Sequence, residues 1–258
     1  MKIEWQFSGN KKANHMQIIQ SFKPSEFESP SRSTVPFLDH WRHPEKCIKK
    51  LSDIFDLYID EKVVLDFEHK VPVQKGQGTA SHTDLAIMKM LNKELDLKIG
   101  IEAKFTEGRY ESFDKWLKNT KDEKNRVNVL EGWLSLLNSV SENNLILESV
   151  KDLPYQMIHR AASVCYRRAK HKIMIYQVFN PGKKSQIYLN DLGKLREVLG
   201  SKADIKIAYL ESEFAPSDAW KELNNRWQSG KRNLSKEVIN FLAKDGIGET
   251  EIIKIDQF

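Results

Sequence analysis

Cysteine is scarce in this chain. There are two in 258 residues, Cys47 and Cys165, far apart and in helix-like surroundings, and no CxxC pair points to a zinc or redox site. Both are expected as buried small hydrophobes. Long apolar runs are missing too: none approaches the roughly eighteen residues a membrane helix needs, and the opening MKIEWQFSGNKK has no signal-peptide core. A cytoplasmic chain with no membrane partner is expected. The absence of a phosphate-cradling glycine loop and of a nucleophilic triad speaks against a nucleotide-driven motor or an acyl hydrolase. No internal repeat or low-complexity segment interrupts the sequence.

What is present is ordinary for a soluble domain: 40% hydrophobic and 30% charged residues, enough chain to bury a substantial core, and a net charge of +5. That charge is compatible with a polyanionic partner without requiring one. The basic clusters RRAKHK (167–172), Lys183 with Lys184, and Lys231, Arg232 and Lys236 read first as solvated faces.

Residues 1–43 hold two short apolar stretches around the loop-like PSEFESPSRSTVP and are expected to be irregular, or an arm or extension laid on the domain. From Pro44 the pattern becomes helical, with Cys47, Ile48, Leu51, Ile54, Phe55 and Tyr58 on one side and an end near Asp60. A strand follows through 62–73, with Leu65, Phe67, His69, Val71 and Val73 on one face and Asp66, Glu68 and Lys70 on the other. KGQGTAS turns the chain into HTDLAIM (82–88), and IGIEAKF (99–105) supplies a third strand. Helices are then expected near 110–117, 127–137 and 155–170. The continuous apolar run KIMIYQVF (172–179) reads as a buried strand. A helix near 191–199, a strand near 203–209 and helices near 217–227 and 235–244 complete the pattern. Helix, three-strand meander, helices, strand, helix, strand and helices predict an α/β fold, a mixed β-sheet flanked by helices.

The chemistry concentrates in residues 82–106. Glu102 and Lys104, two apart on a strand, share one face, while Ile99, Ile101, Ala103 and Phe105 take the other. Asp84 shares a face with Ala86, opposite Leu85 and Ile87. A hairpin connected through 91–95 and centred near Lys93 puts Asp84 across from Glu102 and His82 across from Lys104, where His82 could touch a substrate.

An acid two residues before a lysine occurs six times in this chain, at Asp60, Glu68, Asp96, Glu102, Asp122 and Asp204. Most such pairs are solvated charge. Glu102 alone lies inside an apolar strand beside a second acid-bearing strand. Glu68 is the rival: a turn near Gln77 places it opposite Ala86, on the same face, as a supplementary acid. Two adjacent carboxylates repel unless something neutralises them. Magnesium, content with one or two carboxylates plus waters and phosphate oxygens, suits such a half-built site. A neighbouring ammonium can orient or help deprotonate a water attacking phosphorus.

TDLAIM followed by IGIEAKF, with an amphipathic helix before and a helix and strand after, resembles the PD-(D/E)xK nuclease superfamily over roughly residues 44–180. The resemblance implies a restriction-endonuclease-like core at 44–258 with a C-terminal helical elaboration. It implies a Mg²⁺-dependent endonuclease, with Mn²⁺ as a substitute, acting on double-stranded DNA in a restriction or defence role and leaving 5′-phosphate ends. Homodimers are common in that family. Carried over, Asp84 and Glu102 hold the metal, the Ala103 carbonyl joins the shell, and Lys104 assists the attacking water. Thr83 replaces the usual proline before the aspartate.

Many members add an acid from the first helix, for which Glu45 is the candidate, set against simple favour for an acid at a helix N-terminus. Others add a glutamine from the following helix. Gln156 fits that role, and Arg160, four residues on, is expected to share its face and contact phosphate. The competing class is a non-catalytic nucleic-acid-binding or protein-interaction module on the same fold. His40 and His43 have helix-turn metal spacing but no third ligand, and Trp116, Trp133, Trp220 and Trp227 read as core.

Overall fold

A computed structural model describes residues 1–59, 62–231, 233–244 and 246–258; Asp60, where the first long helix was expected to end, and Arg232 lie outside them. The chain opens with β1 (Lys2–Phe7), β2 (Asn10–Lys12), α1 (His15–Ile19), a 3-10 turn at Pro24–Phe27, and α2 (Thr34–His40). Next come α3 (Pro44–Phe55) and the meander β3 (Lys62–Val71), β4 (Ser81–Leu91) and β5 (Glu94–Lys104). Helices α4 (Phe113–Lys118), α5 (Glu123–Asn138), α6 (Leu147–Val150) and α7 (Tyr155–Cys165) lead to β6 (His171–Phe179). The rest is α8 (Ser185–Leu199), β7 (Lys206–Pro216), α9 (Asp218–Gln228), α10 (Ser235–Lys244) and β8 (Gly248–Gln257).

Among the described residues, eight strands make one mixed sheet in the order β2-β1-β3-β4-β5-β6-β7-β8. β1 runs parallel to β3, the meander is antiparallel, and β5, β6 and β7 are mutually parallel. One face carries Leu65, Phe67, Leu85, Ile87, Ile99, Ile101, Ala103 and Ile173 against α1, α2, α3, α9 and α10. The other carries Met174, Tyr176, Val178 and Ile207 against α4, α5, α7 and α8. β6 is buried on both faces, which is why its sequence is apolar without alternation.

Residues 1–43 are not an arm. They add two strands to the sheet and place Ile18, Ile19, Phe27, Phe37, Leu38 and Trp41 in the first core. At the other end, β8 was not anticipated: GETEIIKIDQ is an edge strand with most residues exposed, and Ile252 is the only large apolar residue on its half-buried side among the described residues. α3 stops at Phe55 because Asp56 adopts a left-handed conformation (φ 52°) and Leu57 N–H bonds back to the Ser52 carbonyl. Both cysteines are buried, and burial pushes each thiol up to about 12.

Two local devices set the strand registers. The β4–β5 turn is the pair Asn92 and Lys93, both with positive φ, tighter than the expected 91–95 connection. The ladder runs Leu91↔Glu94 and Met90↔Leu95, then shifts, so that Lys89 pairs with Leu97 and Leu85 with Ile101. The extra residue, Asp96, restores the alignment that a looser turn would have produced.

Between β3 and β4 the ladder passes from Phe67↔Leu85 to His69↔Thr83 and skips Glu68, whose φ is 51°. Beyond this point the faces change. Val71 packs in the second core, not with Leu65 and Phe67 in the first, and Ser81 reaches α7. The expected placement of His69 and Val71 beside Phe67 is therefore corrected by the backbone reversal at Glu68.

Helix α7 approaches β5 closely at Gly100, where a Cβ would lie 2.7 Å from Val164 Cγ2. Gly100→Val is expected to lift α7 from the sheet and cost about 1–3 kcal/mol, read as a lower urea midpoint. An unchanged midpoint would contradict the tight approach.

Candidate active site

The site forms where β4 and β5 end under the first turns of α7. One step past Leu85↔Ile101, Asp84 comes alongside Glu102. The Asp84 carboxylate ends the ladder there by accepting the Ala103 N–H at Oδ2 (2.6 Å). Glu102 is 3% exposed and Lys104 4% exposed, on the α7 side of the sheet. Lys104 Nζ donates to Glu102 Oε1 at 2.7 Å, and Gln156 Nε2 donates to the same oxygen at 2.7 Å. Arg160 Nε donates to Glu102 Oε2. The amphipathic pattern of α7 explains the last two: Met157, Ile158, Ala161 and Val164 fix the helix in the second core, so 156 and 160 meet the sheet end.

Several of the expected residues are thus brought together: Asp84, Glu102, Lys104, Gln156 and Arg160, with the Ala103 backbone beside Asp84. Others are not. Glu45 is exposed at the start of α3, whose buried side packs on the opposite face of the sheet. Its helix shares a cavity with β8, lined by Lys46, Cys47 and Lys50, and its charge is felt by the Cys47 thiol. The helix-terminus reading suffices for it.

His82 pairs with Lys70 and places Nδ1 3.3 Å from Glu68 Oε2, so it faces Glu68, not Lys104. Glu68 itself lies two residues from its expected partner along β4. Asp66, not Glu68, is opposite Ala86, which leaves Glu68 across from Asp84.

Three acids therefore converge with unequal charge states. Burial favours the neutral form of Glu102, but Arg160 and Lys104 outweigh it and hold the carboxyl below its ordinary value. Burial, with repulsion from Glu102 and Glu68, raises Asp84 well above the usual carboxylate range. Burial also lifts Glu68 to about 7, only partly opposed by Arg160. Burial works against the Lys104 ammonium, yet Glu102 and Asp84 raise its pKa, so it stays protonated.

The folded values of Asp84 and Glu68 lie above their unfolded ones. The stabilising contribution of Glu68 is full below about pH 4.5 and lost as pH rises through about 7, and Asp84 acts in the same direction. Thermal denaturation in EDTA should therefore show Tm falling across this window. Glu68→Gln should flatten the fall and raise Tm at pH 7.5, and an unaltered pH profile would contradict the convergence of charge.

Sequence reading missed four neighbours. Ser81 Oγ accepts from Arg160 Nη1 (2.9 Å) and lies 2.8 Å from His159 Nδ1, which is itself 3.1 Å from Nη1. Burial, then the Arg160 charge, drives His159 well below its usual value, leaving a neutral acceptor. The ring of Tyr110, 48% exposed, lies 4.8 Å from Lys104 Nζ. Tyr176 sits beside Glu102 on β6. His159 had a signal in its place next to Arg160 on YQMIHRAAS; Tyr110, in an irregular loop, had none. Trp133 and Trp220 are core as expected, whereas Trp116 is half-buried and stacks on Tyr155 at 3.7 Å beside the site.

Among the described residues, no group of three or more His, Cys, Asp or Glu side chains forms a ready-made metal cage. The donor set fits a hard cation that needs few protein ligands: two adjacent carboxylates, one with Oδ2 bonded to backbone, and a third acid close by.

The chain belongs to a family described as a domain of unknown function (DUF6946), whose model matches residues 12–219. That match runs from the last residue of β2 to the start of α9 and takes in every residue of the cluster. No curated protein and no solved structure matches the chain. Among the described residues, no helix is long and apolar enough to cross a membrane.

Proposed function

We propose that this protein is a Mg²⁺-dependent nuclease of the PD-(D/E)xK type, hydrolysing phosphodiester bonds of double-stranded DNA in a restriction or defence role. The observation that carries this reading is the meeting of Asp84, Glu102 and Lys104 at the ends of two paired strands, with Gln156 and Arg160 of the next helix on Glu102. The order around them supports it: α3 on one face, the meander, α7 on the other face, then β6 parallel to β5.

A divalent ion held by Asp84 and Glu102, with the Ala103 carbonyl near, would neutralise the acids and polarise a phosphoryl oxygen. The chain's own groups supply the rest. The Lys104 ammonium, firmly protonated, orients the attacking water and stabilises charge growing on the phosphate. Gln156 fixes the Glu102 carboxylate, and Arg160, with five donors on a rigid plane, meets a phosphate. Cavities of about 400 and 360 Å³ flank Arg160, one reaching Thr79 to His82, the other Tyr110 and Trp116. A strand of DNA lying across them passes over the cluster.

A non-catalytic binding module would also keep the closed ion network around Glu102, so activity has to decide. The test is incubation of purified protein with plasmid and linear DNA plus Mg²⁺ or Mn²⁺, alongside Glu102→Ala and Lys104→Ala. Cleavage by the wild type alone is expected. Equal trace activity, or none, in all three would sink the enzyme reading.

A further inference from the structure

Glu102 is occupied. Oε1 receives Lys104 and Gln156, Oε2 receives Arg160, and the side chain is closed off from solvent. Three donors already sit on the two oxygens of Glu102, so a cation approaching from the Asp84 side has to compete with them, and at Oε2 it meets the charge of Arg160. Gln156 is uncharged and so does not repel a cation, and Lys104 sits two residues away on the same strand face. Arg160 is different. It is a positive charge on the oxygen that no other group holds, and it lines both flanking cavities, where a phosphate would arrive. Its Nη1 is kept by Ser81 and His159, so Nε can leave Glu102 while that corner of the guanidinium stays in place.

We propose that Arg160 is a latch on the metal site: it occupies Glu102 until a nucleic-acid phosphate draws it away, so that divalent ion and nucleic acid bind cooperatively. The inference rests on the nuclease reading and adds the order in which the site is assembled. With Arg160 turned to a phosphate, Glu102, Asp84 and Glu68 face only Lys104, and attraction for a divalent ion rises. An ion arriving first repels Arg160 toward the phosphate position. Linkage makes the two effects equal in size. Without nucleic acid the site is closed by an internal cation, which keeps an empty enzyme from holding a reactive metal centre.

The test is Mn²⁺ binding to the full chain, followed by the EPR signal of free Mn²⁺, with and without a DNA oligonucleotide whose phosphorothioate linkages resist hydrolysis. In the wild type the oligonucleotide is expected to tighten Mn²⁺ binding at least about tenfold. Arg160→Met is expected to bind Mn²⁺ more tightly than the wild type without DNA and to gain no more than about twofold when the oligonucleotide is added. Wild-type affinity that ignores the oligonucleotide overturns the latch, and this arm stands if Arg160→Met fails to fold. Coupling of full size in a folded Arg160→Met protein also overturns it. Mn²⁺ held by neither protein under either condition overturns the metal-nuclease reading itself, whereas cleavage of ordinary DNA without coupling leaves that reading and removes only the latch.

Discussion

Glu102→Gln and Lys104→Met should each lower Mg²⁺-dependent DNA cleavage by at least about 10²–10³-fold, the loss typical when a group stabilising transition-state charge is removed. Glutamine preserves the shape of Glu102, and its carbonyl oxygen can still accept from Lys104 or Arg160. What it loses is the negative charge, which leaves Asp84 alone of the two paired carboxylates to hold a divalent ion. Lys104→Met removes the ammonium that bonds Glu102 Oε1 and lies over the Tyr110 ring, while keeping an aliphatic side chain of similar length. The two variants should separate in binding. Glu102→Gln weakens metal affinity, whereas Lys104→Met lowers kcat with the metal requirement little changed. Steady-state cleavage against Mg²⁺ concentration reads both. A Lys104→Met enzyme within about twofold of wild type would remove the lysine from the chemistry.

Glu102→Leu carries the largest stability effect. The carboxylate sits between two buried cations, Lys104 and Arg160, both within 9% exposure. Deleting the anion strands two charges where water cannot reach them. Breaking a buried pair from one side typically costs about 3–5 kcal/mol. For a domain of this size that is a fall in Tm of about 6–20 °C. Adding Arg160→Met to Glu102→Leu should recover part of the loss, because the second change removes one of the stranded charges. A Glu102→Leu Tm within about 2 °C of wild type would mean the network contributes little to folding.

Much of the site was legible because strand alternation is strict where both faces are covered. The apolar set Ile99, Ile101 and Ala103 against Glu102 and Lys104 left one arrangement for β5 that buries the hydrophobic side. α7 was legible for the same reason, since its apolar stripe determines which polar residues meet the sheet. Register was harder. The alignment of Asp84 with Glu102 depends on a tight turn and a one-residue bulge whose shifts combine, and neither Asn92-Lys93 nor Asp96 announces it alone. The reversal at Glu68 was invisible, because a non-glycine residue at φ 51° carries no sequence mark; it reassigned His82, His69 and Val71 together. Residues 1–43 were misread for want of length: β1 and β2 are short and half exposed, and their pairing with β3 is a contact between distant parts of the chain. Glu45 was proposed through resemblance alone, and the packing of α3 toward β8 takes it elsewhere.

The most direct measurement is the anomalous signal of Mn²⁺ in crystals of Lys104→Met protein grown with a DNA duplex, the substitution keeping the strand uncut. The account predicts an ion between the Asp84 and Glu102 carboxylates, with Arg160 turned from Glu102 to a phosphate. Mn²⁺ bound elsewhere with Glu102 still closed by Arg160, or DNA seated away from the ends of β4 and β5, would contradict it.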